Sequence, residues 1–80
     1  DIIELLSKAN DVPVIVVLNV RNDSLIDFVL SDLTELEFKF ERKSYWKDAF
    51  SGNITQDGIN KLTNNPNIKR IYLNRRGHIL

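Results

Sequence analysis

Phe50-Ser51-Gly52-Asn53-Ile54-Thr55, the stretch 56–64, and then Asn65-Pro66-Asn67-Ile68-Lys69-Arg70-Ile71-Tyr72-Leu73-Asn74 read as a strand, a capped helix, a turn and a second strand. Thr55 stands where a helix N-cap is needed, because its hydroxyl can accept a backbone N–H of the first turn. Ile54 before the cap and Ile59 at the fourth helical position have the spacing of a hydrophobic staple. Leu62 continues the buried side. Asn64-Asn65-Pro66 stops the helix, since proline disfavours helical geometry in the residue before it. The last strand runs from Ile68 to Leu73, and residues 75–80 are left as an extended tail.

Working back from this unit, a strand is expected near 48–54, preceded by a polar loop at 43–48 that carries two aromatics. Residues 35–42 alternate, with Leu36, Phe38 and Phe40 against Glu37, Lys39 and Glu41, as in a half-buried strand. Leu25, Ile26, Val29, Leu30 and Leu33 form the apolar stripe of a helix near 24–33. Ser24 and Asp27 approximate a capping box at its start. Residues 14–20 open with Val14-Ile15-Val16-Val17-Leu18 and are apolar on both faces, which suits a central or doubly covered strand. Ile2, Leu5, Leu6 and Ala9 fit a short helix over 2–9, ended by Asn10-Asp11 and Pro13.

The order is therefore (α)βαββαβ. Past the first helix this is the split βαβ, ferredoxin-like arrangement of an α+β domain. Two helices cover one face of a four-stranded antiparallel sheet, with a short extra N-terminal helix and a C-terminal tail. The chain divides into 1–10, the helix; 13–74, the core; and 75–80, the tail. The sheet's other face needs a partner, or the N-terminal helix, to cover it.

Bulk properties narrow the function. The chain has 80 residues, 42% of them hydrophobic and 28% charged, with a formal net charge of zero. One small, marginally stable domain is expected. A balanced charge argues against nucleic acid or a membrane as the partner. With no cysteine there is no disulfide or thiol chemistry. No run is long enough to span a bilayer, and no signal peptide is visible. A first residue other than Met leads us to expect a fragment or processed piece.

No enzyme is read here. His78 has no second ligand at metal spacing and is read as a solvated residue, so neither a catalytic nor a metal role is assigned, and no cofactor is expected. The three glycines form no phosphate loop, and Ser51 lacks the context of a nucleophile elbow. Asn22-Asp23-Ser24 and Asn53-Ile54-Thr55 match glycosylation sequons but read more simply as turn and cap residues. Phe38, Phe40, Tyr45 and Trp46, interleaved with Lys39, Arg42, Lys43 and Lys47, leave a ferredoxin-like RNA-binding or regulatory interaction domain as the alternative. The glycine-aromatic run expected on the third strand of an RNA-recognition sheet is missing.

Val14-Ile15-Val16-Val17-Leu18, Phe50-Ser51-Gly52 followed by Ile54-Thr55, Leu62, and Asn65-Pro66-Asn67-Ile68-Lys69 with Ile71 together resemble the propeptide of subtilisin-like serine proteases, the inhibitor I9-like prodomain. The similarity is best over residues 49–80. It implies an intramolecular chaperone and product-like inhibitor, the pro-part of a zymogen, with a subtilisin-like catalytic domain as partner and an extracellular or secretory location. In that family the open sheet face packs on two protease helices, and the tail lies extended in the substrate cleft. Carried over, Gly77, His78, Ile79 and Leu80 would lie in the cleft, with Leu80 in the first specificity pocket. Tyr72 and Asn74 would meet the protease helices, at places where the family often carries acidic side chains. Gly77 is small for its subsite, and Arg75-Arg76 is unusual.

Overall fold

The computed structural model describes residues 2–74. Seven elements follow one another: α1 (Ile2–Leu6), β1 (Val12–Leu18), α2 (Asp23–Ser31), β2 (Phe38–Lys43), β3 (Ala49–Ile54), α3 (Gln56–Thr63) and β4 (Ile68–Leu73). The strands form one sheet in the order β2-β3-β1-β4, with every neighbouring pair antiparallel. This is the ferredoxin-like α+β fold with an added short N-terminal helix. The tail lies outside the described residues.

Alternation along β1 sorts the sheet into two faces. Val12, Val14, Val16 and Leu18 are buried beside Ile26 and Val29 of α2, Phe50 and Ile54 of β3, and Ile59 and Leu62 of α3. Phe38 joins them with its ring edge-on to Phe50, centroids 5.4 Å apart. Gly52 lies in this layer because a side chain there would strike the Lys39 carbonyl and the Phe38 ring. Ile2 and Leu6 of α1 pack against the same cluster. The N-terminal helix thus adds to the helix side rather than closing the opposite face.

Thr55 caps α3 as expected: its hydroxyl accepts the Gly58 N–H at 3.2 Å and donates to the Glu37 carbonyl. Ile54 and Ile59 are both buried. Several boundaries differ from expectation. The cap of α2 is Asn22, whose Oδ1 accepts the Leu25 N–H at 3.1 Å, and Ser24 lies inside the helix. A long-range bond, Asn22 N–H to the Lys47 carbonyl, holds Asn22 in its extended conformation. Strand β1 starts two residues early and includes Pro13, whose carbonyl accepts the Asn74 N–H.

The alternation at 35–37 does not become strand. The Thr34 N–H bonds the Glu37 carboxylate, while the Glu37 and Phe38 N–H groups return to the Thr34 carbonyl. This turn leaves Leu36 87% exposed. Lys61 of α3 fastens it by bonding both the Glu37 carboxylate and the Asp32 carbonyl.

Candidate functional site

With both long helices on one side, the sheet's second face is the candidate site. β1 contributes Pro13, Ile15 and Val17 to it. Cross-strand register then fixes the neighbours, because directly opposed residues share a face. Ile15 stands between Ser51 of β3 and Tyr72 of β4. Val17 stands between Ala49 and Arg70, and Pro13 lies opposite Asn53. Beyond β3, Lys39 lies opposite Asn53. The centre is apolar and the rim is polar, as in a docking surface.

Three interactions stiffen this face. The Ser51 hydroxyl, fully buried among its neighbours, donates to Glu41 at 2.9 Å. Arg70 donates to the Tyr72 hydroxyl at 2.8 Å, and its guanidinium lies 5.6 Å from the centre of the Tyr72 ring. Ile15 fills the space between these two groups. Rigid aromatic and arginine side chains beside an aliphatic centre suit a contact that must lose little side-chain entropy on binding.

Tyr72 is 46% exposed on this face. Asn74 follows β4, is 5% exposed, and holds the strand end to β1 through its N–H bond to the Pro13 carbonyl. Gly77, His78, Ile79 and Leu80 lie outside the described residues, as do Arg75 and Arg76. The structure therefore places Tyr72 and Asn74 at one edge of the sheet, where β4 gives way to the tail. Ile15, Val17, Ser51 and Arg70 were not singled out in the sequence. The second set of apolar residues in β1, alternate to the core set, could have found Ile15 and Val17, and alternation from Tyr72 could have found Arg70; Ser51 required the register with β1.

The aromatics considered for base stacking are dispersed. Phe38 is core, and Phe40 lies on the helix side at the β2 edge. Tyr45 and Trp46 sit in the β2–β3 loop, edge-on to each other at 5.0 Å, with Arg21 stacked 5.2 Å from the Trp46 ring centre. The central strands, β1 and β3, carry no aromatic on the uncovered face.

Charged groups elsewhere act as braces. Lys43 on β2 meets Asp23 and Asp27 of α2, each at 2.7 Å. The hydrogen bond from Lys43 holds the Asp23 carboxyl below its usual range, and bonds to Asp23 and Asp27 raise the Lys43 ammonium. The Thr34 N–H, followed by Lys61, lowers the Glu37 carboxyl. Among the described residues no group of three or more His, Cys, Asp or Glu could hold a metal ion. No described helix is long and apolar enough to cross a membrane. Compared with family models, curated proteins and solved structures, the chain matches none.

Proposed function

We propose that the chain is the prodomain of a subtilisin-like serine protease, acting as its intramolecular chaperone and product-like inhibitor. The observation that carries this reading is the position of β4. It is an edge strand of the uncovered face and the last element before residues 75–80. A protein seated on that face would have the tail beside it.

The physical division of labour is simple. The face centred on Ile15, Val17 and Tyr72 docks on the protease surface. Residues Gly77, His78, Ile79 and Leu80 lie extended in the cleft, where main-chain hydrogen bonds to strand edges give affinity and side-chain pockets give specificity. Joining the two sites on one chain raises the local concentration of the tail at the cleft. Preferential binding to the folded protease stabilises that fold by linkage. The chain itself performs no chemistry, and secretion with the protease follows from the reading. The alternative, RNA recognition, is less favoured because β1 and β3 offer Ile15, Val17, Ala49, Ser51 and Asn53, and no stacking ring, on the uncovered face.

The test is steady-state inhibition of the matching subtilisin-like catalytic domain by three chains. The full chain inhibits. Deleting Gly77–Leu80 weakens inhibition by roughly a hundredfold or more, while binding through the sheet face persists. Ile15→Asp weakens binding of both intact and truncated chains, because a carboxylate enters an apolar contact. Equal inhibition by intact and truncated chains overturns the tail's role, and unchanged binding by Ile15→Asp overturns the docking face.

A further inference from the structure

We propose that the chain forms a two-fold dimer in which the β2 edge of one copy pairs antiparallel with the β2 edge of a second copy, centred on Phe40. This contact lies at the sheet edge opposite β4, draws only Lys39 and Glu41 from the rim of the uncovered face, and stands whether or not the prodomain reading holds.

β2 is the outer strand on the side opposite β4. Its backbone polar groups alternate in direction. The Glu37 carbonyl accepts the Thr55 N–H, and two residues on, Lys39 lies opposite Asn53 of β3. Residues two apart on a strand turn their N–H and C=O groups to the same side. Lys39 therefore faces β3. The Phe38 N–H, turned outward, is taken by the Thr34 carbonyl, while Phe40 turns its N–H and C=O away from the sheet. Such groups are a template for a further strand.

The side chains select a second copy as that strand. Pairing Phe40 with Phe40 of the second copy places two outward-facing residues on the symmetry axis, as a hydrogen-bonded pair requires. It also sets Lys39 opposite Glu41 of the second copy, and by symmetry Glu41 opposite Lys39. The adjacent symmetric registers place Lys39 on Lys39 or Glu41 on Glu41, and like charges directly opposed are destabilising. Centring on Phe38 would also oppose Lys39 to Glu37, but the Phe38 N–H is already bonded to the Thr34 carbonyl, so among these registers only the Phe40-centred one is both bonded on its axis and charge-matched.

The faces agree as well. Phe40 lies opposite Gly52, a helix-side position, and is 47% exposed. It lines a groove of about 730 Å³ between α2 and β2 with Leu30, Leu33 and Phe38. Opposed residues share a face, so the second Phe40 would lie beside this groove and shield its apolar wall. Glu41 lies on the uncovered side, bonded by Ser51, with its charge available to Lys39 of the second copy. The ladder is short, because β2 departs from regular register between Phe40 and Arg42. The dimer is accordingly a small, concentration-dependent one.

Sedimentation equilibrium of the full 80-residue chain at low salt, up to about 1 mM, tests this. The wild type shows a monomer–dimer equilibrium. Lys39→Glu opposes two glutamates twice, Glu41→Lys opposes two lysines twice, and each weakens dimerisation by roughly tenfold. An equimolar mixture of the two variants restores it, and so does the double exchange within one chain. Phe40→Pro removes the outward N–H at an edge position that tolerates proline, and gives a folded monomer by circular dichroism. A wild type that stays monomeric overturns the proposal. Association that survives Phe40→Pro, or that neither mixture nor double exchange restores, overturns it equally.

Discussion

Strand β1 presents two sets of similar aliphatic side chains to opposite sides of the sheet. Val12, Val14, Val16 and Leu18 are buried, while Ile15 and Val17 remain half-buried and Pro13 is exposed. The residues do not differ enough in kind to explain this. What differs is what lies above them: α2, α3 and α1 on one side, and none of these on the other. Full burial of a valine or leucine side chain contributes about 1.5–3 kcal/mol, so the first set holds the domain together. The second set has kept part of that favourable transfer unspent, which a docked protein can collect. The face that makes the fold and the face proposed to meet a partner are thus the two sides of one strand.

The sharpest way to break this comparison is to place the same charge on each face. Ile59→Asp buries a carboxylate in the helix-side cluster, where Ile59 is 6% exposed. The cost of several kcal/mol approaches the whole stability of a small domain, so no cooperative thermal transition should remain. Ile15→Asp should cost only about 1 kcal/mol, because water reaches the uncovered face. Unfolding by both variants would erase the distinction.

A smaller effect is expected where α3 touches the turn before β2. Alanine at Gly58 would press a methyl against the Glu37 carbonyl and within 2.6 Å of Ile54 Cγ1. Gly58→Ala should lower stability by about 1–3 kcal/mol through overpacking, although the helix gains about 1 kcal/mol in propensity. A raised melting temperature would show that α3 is not held this closely. Removing the cap by Thr55→Ala should cost about 1 kcal/mol, and Thr55→Ser much less, in urea unfolding.

The smallest effect concerns the braces on the helix side. Asp23 and Glu37 have lowered carboxyl pKa values, so their contribution is complete above the usual carboxylate range and is lost as pH falls through the lowered values. Lys43 is raised, so its part persists until pH climbs through that raised value. Asp23 is exposed and Lys43 and Glu37 are half-buried at the surface, and ion pairs at the surface contribute little. Wild type should exceed Lys43→Met slightly in urea midpoint at neutral pH, and the margin should close in acid. A margin independent of pH would mean that Lys43 acts through its aliphatic stem.

Some of this was legible because the deciding contacts are local. The Thr55 cap, the Ile54–Ile59 pair and the strand Ile68–Leu73 depend on residues a few positions apart. Asn22 and Ser24 are both good caps, and the choice between them fell to the Lys47 carbonyl, which binds the Asn22 N–H across the fold. The pattern at 35–37 suited a strand, yet Lys61 reaches Glu37 from α3 and stabilises a turn. Tyr72 was singled out by resemblance, and Arg70, two residues before it, shares its face by strand alternation, but Ile15 lies on another strand and required the register.

By itself the sequence determined the element types, their order and the ferredoxin-like class, since periodicity and capping act within one or two turns of chain. Tertiary structure alone decided which half of β1 is covered, that α1 joins the helix side, and that β2 and β4 form the two edges. Those outcomes depend on pairing between residues far apart in the chain. An apolar side chain records a need for cover, but not which surface supplies it.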